Sequence, residues 1–403
     1  MLCLIDCSLR DRTGHYYHYL KTLYDHAKGM GLPVRVLGHR SVTREILESF
    51  PVEPVFRHDF HHPYFRPSMI RFPRVSGWYD VVRANREFWR DLKRALQNRV
   101  SPDDLVFCSM SDHRQLLAWS WFLSGYEPGA SPAVVLMFRL DCPDDADAPA
   151  RSPAPVAARW GFRVLERAAR GHRVRIATDS ERLAQAYSRV TALPVEVFPI
   201  PHTTALSRVK APEGGNGEIR FVSLGDAREE KGFPLLVEAI RILRDRGEMH
   251  GMRFVLQCHI SSHHHAPMRP YVRALERMGL PNVQWITEPL DTEAYHRLIT
   301  DAHVVVLPYR RRTYRARTSG PLVEAFAAGK PIIATEGTWL SDQLRRYGSG
   351  AVFRDGDAAD LADAMLAVRD RYGELAKASR NLRAAWLERH NPGTFFRKLM
   401  GTG

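Results

Sequence analysis

Cysteine and long apolar runs are both scarce in this sequence. Only five cysteines occur among 403 residues, and their odd number and scattered positions argue against a disulfide framework or a zinc site. No stretch approaches the ~20 apolar residues that a membrane-spanning helix needs. Residues 1–17 lack the basic segment that precedes the apolar core of a signal peptide, so we predict a buried strand there. A protein of the reducing cytoplasm is expected.

Acidic residues are outnumbered, but no basic arm or tail carries the excess charge. The 58 Lys and Arg exceed the 45 Asp and Glu and give a formal net charge of +13. Such a charge permits binding to nucleic acid, anionic lipid or a phosphorylated substrate. The excess is divided almost equally between residues 1–205 and 206–403, which disfavours nucleic acid as the partner.

Short apolar runs alternate with amphipathic stretches, the pattern of β-α units that build parallel sheets. The first half predicts strands near 2–6, 34–37, 104–109, 133–138, 174–177 and 195–198, with helices at 17–28, 83–97, 114–123, 159–170 and 180–189. The second half predicts strands at 219–224, 254–258, 283–286, 304–307, 331–334 and 351–353. The chain is two to three times the length of an ordinary domain, so two lobes are expected.

The boundary between the lobes is predicted near residue 202. Pro199 and Pro201 disfavour helix before them, and a turn-rich stretch follows at 213–218. We predict an α/β fold with lobes at 1–202 and 203–385 and a last helix, 386–403, that crosses back to the first lobe. Residues 56–79 mix Arg, His, aromatics and prolines without periodicity, which predicts a long binding loop or an ordinary one.

One segment places two cations after a strand. The strand 219–224 leads into Gly225, then Arg228 and Lys231, and then an amphipathic helix. The loop of such a unit lies at the carboxyl edge of the sheet, where these folds bind ligands. Two cations there suit a diphosphate. The alternative is that both are solvated charges beside neighbouring glutamates.

A second segment opens a short helix after a basic loop. A strand ends at Pro308, Arg315 and Arg317 follow, and Thr318-Ser319-Gly320-Pro321 begins a helix that ends before Gly329. The free amides and dipole at such a helix start favour an anion. Glu324, one turn inside, suits the paired hydroxyls of a ribose, with a role beside the helix dipole as the alternative.

Together these segments resemble the carboxy-terminal donor domain of the retaining family 4 glycosyltransferases, over residues 215–345. The resemblance implies the B-type architecture of two Rossmann-like lobes facing across a cleft, the first for the acceptor and the second for a nucleotide-sugar donor. Gly225, Lys231 and Gly232 match a family motif whose lysine is implied to bind the donor diphosphate, and Glu324 matches the residue implied to bind ribose. The family's arginine after the glycine is here Asp226, and an earlier glutamate is Ala316.

The resemblance extends the predicted site to both lobes. The catalytic assignments are His113, Asp112, Arg228 and Lys231. The donor-binding assignments are Gly14, His15, Gly225, Arg228, Lys231, Pro289, Leu290, Arg317, Thr318, Ser319, Gly320 and Glu324. The acceptor-binding assignments are Arg139 and Asp141, which follow a predicted strand. Structural roles remain open for the residues of the first lobe.

Three other patterns resemble binding motifs, but we predict no binding role for them. Asp145-Ala146-Asp147 has the spacing of a metal-binding D-x-D motif but lies among prolines in a polar loop. His263-His264-His265 has no accompanying acidic or cysteine cluster. The glycine-rich stretch 214–217 precedes a strand and lacks the dinucleotide-binding order, so it predicts a linker.

The predicted activity is transfer of a sugar from a nucleotide diphosphate sugar to a hydroxyl acceptor, a glycan or a lipid-linked saccharide, with retention of anomeric configuration. No metal or other cofactor is expected, because the nucleotide sugar is a co-substrate. We expect a cytoplasmic protein that does not bind nucleic acid, with peripheral contact at an anionic inner membrane face left open. A nucleotide-sugar epimerase, a sugar phosphorylase and a non-catalytic nucleotide-sugar sensor remain alternatives.

Overall fold

The chain folds as two compact units. The structure, a computed structural model, describes residues 1–12, 15–59, 76–142, 154–201, 206, 217–260 and 265–402. One unit comprises Met1–Pro201 with Pro392–Gly403, and the other comprises His202–Asn391.

The first unit is built on a seven-stranded parallel sheet with the order β3-β2-β1-β4-β5-β6-β7. Its strands are β1 (Leu2–Ile5), β2 (Val34–His39), β3 (Glu53–Phe56), β4 (Leu105–Ser111), β5 (Ala133–Phe138), β6 (Val174–Thr178) and β7 (Val195–Val197). Its helices are α1 (His15–Gly29), α2 (Arg44–Ser49), α3 (Ser76–Leu96), α4 (Leu116–Leu123), α5 (Ala154–Ala168), α6 (Glu181–Ser188) and α15 (Pro392–Met400).

The second unit is built on a six-stranded parallel sheet with the order β10-β9-β8-β11-β12-β13. Its strands are β8 (Ile219–Ser223), β9 (Met252–Gln257), β10 (Val283–Ile286), β11 (Val304–Leu307), β12 (Ile332–Thr335) and β13 (Gly350–Phe353). Its helices are α7 (Phe233–Asp245), α8 (His265–Met278), α9 (Thr292–Asp301), α10 (Arg311–Tyr314), α11 (Gly320–Ala327), α12 (Trp339–Tyr347), α13 (Ala358–Asp370) and α14 (Tyr372–Arg389).

Burial on both faces explains why the central strands are uniformly apolar. Every residue of β4 and of β11 is buried, as expected for strands that carry helices on each side of the sheet. The last helix, α15, joins the first unit through aromatic contacts, with Phe395 edge-on to Tyr19, Phe107 and Phe198. The predicted α/β fold is confirmed.

The sequence prediction is wrong at the start of α3. This helix begins at Ser76 rather than near residue 83, so the predicted loop 56–79 runs at most from the end of β3 to residue 75. The first turns of α3 expose Tyr79 and Val82, and apolar residues on the outer face hide the helical period. The short elements α2 and β3 were also not predicted. Among the described residues, no helix has the length and apolarity to cross a bilayer.

Candidate active site

The two predicted segments of the second unit meet at the carboxyl edge of its sheet. Strands β8 and β11 pair directly, so the loops that follow them lie side by side. The backbone amide of Arg310 donates to the carbonyl of Glu230 at 2.9 Å. Gly232 has a φ of 71°, and a Cβ there would collide with the carbonyl oxygen of Pro308. Only glycine permits this close approach of the two loops.

Gly225 shapes the turn that holds Lys231. Its φ of 95° disfavours other residues, and a Cβ on it would collide with the Lys231 Nζ. Its amide donates to Gln257 Oε1 at 2.7 Å, so the last residue of β9 fixes the turn. The glycine and the lysine were predicted from the motif, but Gln257 was not.

The side chain of Lys231 places its ammonium group beside the Gly225 turn. The side chain is half-buried, and no hydrogen bond or ion pair of its Nζ occurs among the described residues. Burial, assisted by the charge of Arg228, lowers its pKa to about 8, although Asp226 and Glu230 oppose the shift. A desolvated cation of this kind is suited to receive an anion.

Arg228, in contrast, is already paired. Its guanidinium donates to Asp226 at 2.8 Å and lies 3.7 Å from Glu230. Asp226, which replaces the arginine of the family motif, therefore holds Arg228 beside the turn. The assignment of Arg228 to the diphosphate stays a prediction, because Asp226 and Glu230 already balance part of its charge.

The start of α11 is capped as the sequence predicts. Ser319 is buried, and its hydroxyl accepts a hydrogen bond from the amide of Leu322 at 3.3 Å. Gly320 and Pro321 form the first helical positions, a common arrangement at a helix start. Arg317 and Thr318 lead into this cap and have partners within the fold. Ala316, just before them, is buried and has no polar side chain.

Glu324 projects from the first turns of α11 and receives one hydrogen bond. The hydroxyl of Tyr295, from α9, donates to Glu324 Oε2 at 2.7 Å. Burial raises the pKa of Glu324 to about 7, although this hydrogen bond opposes the shift. No partner of Oε1 is found among the described residues. The carboxylate therefore has an oxygen for a ligand hydroxyl.

Tyr295 was not predicted from the sequence. It stands in a helix that no motif marks, and the contact with Glu324 depends on how α9 packs against the sheet. The predicted donor residues Pro289 and Leu290 lie just before α9, in the connection from β10. Pro289 is exposed and Leu290 is half-buried.

In the first unit, the predicted catalytic pair follows β4. Asp112 accepts hydrogen bonds from the backbone and guanidinium of Arg114 at 2.6–2.8 Å, and His113 Nδ1 lies 3.3 Å from it. Burial would raise the pKa of Asp112, but the charges of His113 and Arg114 hold it well below its usual range. Burial lowers the pKa of His113. These contacts support a structural role for Asp112, and the catalytic assignment stays a prediction.

The predicted acceptor residue Arg139 is also engaged. It follows β5 and donates to Asp179, at the end of β6, at 2.8 Å, while its guanidinium lies over the ring of Tyr19. Asp141 also has a partner within the fold. Their acceptor assignments stay predictions.

Asp6, which was not assigned, lies at the end of β1. It accepts a hydrogen bond from Ser109 at 2.6 Å, and burial raises its pKa to about 6. Its place as the first polar residue after a buried strand was the available signal.

Gly14 and the stretches 143–153 and 261–264 lie outside the described residues, so the D-x-D pattern and two of the three histidines do too. His15 begins α1.

A metal centre is not apparent in the part of the chain that the structure describes. No group of three or more His, Cys, Asp or Glu side chains there is close enough to hold an ion.

Residues 218–370 match the family described as "Glycosyl transferases group 1". This region includes both donor segments of the second unit. A comparison with curated protein sequences gives no significant match. The glycosyltransferase class predicted from the motifs is confirmed by the family match.

Similar solved structures extend over the whole chain. HepE of Anabaena, solved in complex with UDP, is 14% identical with a TM-score of 0.67, over 100% of this chain and 98% of HepE. The α,α-trehalose 6-phosphate synthase of Burkholderia multivorans is 12% identical with a TM-score of 0.70, over 99% and 95%. The sucrose-phosphate synthase of Thermosynechococcus elongatus is 16% identical with a TM-score of 0.66, over 100% and 99%. At these identities the likeness establishes the two-domain B-type fold.

Proposed function

We propose that this chain, whose second unit is a group 1 glycosyltransferase domain, moves a sugar from a nucleotide diphosphate sugar to a hydroxyl acceptor with retention. One observation carries the proposal. At the carboxyl edge of the second sheet, the segments that follow the neighbouring strands β8 and β11 carry an ammonium with no hydrogen-bond partner among the described residues, the amide end of a helix and a carboxylate with one open oxygen. These three groups complement a diphosphate and a ribose.

The residues take the following roles in this proposal. Lys231 binds the donor diphosphate and stabilises the negative charge that grows on it as the sugar leaves. Arg228 and the amides of residues 318–320 add to this stabilisation, which is the largest single contribution in many transfers of this type. Glu324 Oε1 accepts a hydrogen bond from a ribose hydroxyl. Because the HepE structure holds UDP, uridine donors are the first to test.

Ala316 changes what contacts the donor sugar. A methyl group cannot hydrogen-bond to a sugar hydroxyl, so we assign those contacts to Arg315 or Arg317 and to the amides at the start of α11. We propose that transfer is retained without the glutamate. A non-catalytic nucleotide-sugar binder is the second candidate, and Ala316 is the observation that favours it.

The acceptor is proposed to bind the carboxyl edge of the first sheet. Asp6, Arg139 and Asp141 stand at or just after strand ends there, and their groups suit the hydroxyls of a saccharide or of a lipid-linked saccharide. The reaction is proposed to need no metal or other cofactor. A cytoplasmic location, with peripheral contact at an anionic membrane face, completes the proposal.

A panel of nucleotide sugars tests the donor assignment. A ligand at 100 times its dissociation constant adds about 2.7 kcal/mol of stability, which a thermal shift detects. We expect one donor to raise the Tm of the wild type and of Lys377→Ala, an exposed lysine of α14, but much less that of Lys231→Ala. An equal rise in all three proteins would contradict the proposed site. Product analysis with saccharide acceptors then separates transfer from mere binding.

A further inference from the structure

The outer faces of α3 and α5 carry no exposed acidic side chain. Among the described side chains, α3 exposes the cations Arg83, Arg86, Arg90, Lys93 and Arg94. Those of α5 are Arg159, Arg163 and Arg167. The acidic residues of both helices are buried or half-buried, as with Asp91, which is close to Arg40 and Arg57.

Both helices also expose large apolar side chains, and among the described side chains these lie near the N-terminal ends. Tyr79 and Val156 are 68% and 73% exposed, and Val82 and Trp160 are 43% and 48% exposed. Along each helix the spacing of three and four residues sets these side chains and the following arginines on one stripe. We call this combined surface the α3–α5 face.

The two stripes belong to one continuous surface. Helix α4 packs against both α3 and α5. Asn85 of α3 donates to the carbonyl of Arg114, while Gly161 of α5 lies against Leu116 and the carbonyl of His113. The start of α4 and the residues just before it therefore contact both helices, in each case within two turns of the exposed apolar residues.

Aromatic side chains continue between the stripes. Trp121 of α4 is half-buried and meets Trp89 of α3 edge to face, with ring centroids 6.2 Å apart. The Lys93 ammonium lies 5.4 Å from the centroid of the Trp89 ring. Amphipathic aromatic rings beside cations are the composition that favours the headgroup region of a bilayer.

We infer that the α3–α5 face docks on the surface of an anionic lipid bilayer. Cations attract anionic headgroups, and the exposed apolar side chains enter the boundary between headgroups and acyl chains. Nucleic acid and acidic glycans would use the cations but would give aliphatic Val82 and Val156 little to contact. The inference rests on the proposed function, because it assigns the membrane contact proposed there to a defined surface. Vesicle binding can nevertheless be measured independently of glycosyl transfer.

Co-sedimentation with vesicles tests the inference. The vesicles contain 30% phosphatidylglycerol and 70% phosphatidylcholine, with pure phosphatidylcholine for comparison. Arg90→Gln, Arg163→Gln and Arg167→Gln are combined, because Gln keeps helix propensity. The matched control combines Arg269→Gln, Arg273→Gln and Arg277→Gln, three exposed cations of α8 in the second unit.

We expect the wild type and the control to bind the anionic vesicles and the first triple variant to bind roughly 100-fold more weakly. Val156→Ser with Trp160→Ser should weaken the binding that survives 0.5 M NaCl. Three results would overturn the inference. The two triple variants could bind equally, the wild type could fail to bind, or the wild type could form a dimer that Trp160→Ser converts to monomer. Donor binding, measured in the same variants by thermal shift, should be unchanged. If no protein of the set, including the wild type, bound a donor while vesicle binding persisted, the result would count against the proposed function and not against the membrane inference.

Discussion

Two charged groups at the edge of the first sheet and two at the edge of the second differ in how completely the fold pairs them. In the first unit, Asp112 and Arg139 are closely tied to Arg114 and Asp179. In the second unit, the described residues offer Lys231 no hydrogen-bond or ion-pair partner and Glu324 only one, and burial moves both pKa values toward neutrality. Removing one member of a buried pair lowers stability because the other charge is left uncompensated, whereas charges that are desolvated without a partner cost stability until a ligand completes them.

The largest expected effect comes from removing a paired charge of the first unit. Arg139→Ala leaves the carboxylate of Asp179, whose side chain is inaccessible, buried without its cation. We expect the free energy of unfolding to fall by about 3–5 kcal/mol, measured by urea denaturation. Arg139→Met combined with Asp179→Leu should recover most of the loss. A fall below ~1 kcal/mol for Arg139→Ala would show that the pair is not structural.

Glu324→Gln should have the opposite effect on stability. The folded pKa of about 7 lies above the value of 4.5 for an exposed glutamate, so the group destabilises the fold increasingly as the pH rises from 4.5 and reaches its full cost above about pH 7. Removing the charge while keeping the Tyr295 hydrogen bond should stabilise the second unit by about 3 kcal/mol at pH 8. The gain should disappear as the pH falls toward 4.5. A Tm at pH 8 that falls in the variant would contradict the expectation.

Lys231→Ala should reduce donor use without harming the fold. A hydrogen bond to a charged group contributes about 1.5–3 kcal/mol, so kcat/KM for the donor should fall roughly tenfold to a hundredfold. Steady-state kinetics with Lys377→Ala as the control measure this effect. A kcat/KM equal to that of the wild type would indicate that Lys231 is only a solvated charge and does not bind the donor.

Tyr295→Phe should have the smallest effect. The variant loses one hydrogen bond to Glu324 and should weaken nucleotide diphosphate binding about two- to tenfold. Since that bond lowers the pKa of Glu324, the pH below which binding declines should also rise. An affinity loss with no change in the pH profile would mean that Tyr295 does not act through Glu324.

Local motifs explain which parts of this account the sequence could supply. Gly225, Lys231 and Glu324 stand at fixed offsets from a strand end or a helix start, so the α/β pattern made them candidates and the family resemblance implied their donor roles. Gln257 and Tyr295 come from elements with no motif, and only packing brings them to the site.

The strand-end rule also selected Arg139 and Asp112, because it cannot tell a paired charge from an open one. The start of α3 was missed because its apolar residues face outward, where a core-facing period cannot reveal them. Sequence patterns therefore left contact with an anionic membrane open but could not assign it to a surface.

Titration calorimetry with the nucleoside diphosphate of the preferred donor, at pH 5.5–9.5, tests the central claim most directly. Glu324 should lose its charge as the pH falls through about 7, and Lys231 should lose its charge as the pH rises through about 8. The account predicts that affinity is highest between these values, that Glu324→Gln removes the acidic decline and that Lys231→Ala removes the alkaline one. An affinity that is unchanged across this range, or a profile that both variants share with the wild type, would contradict it.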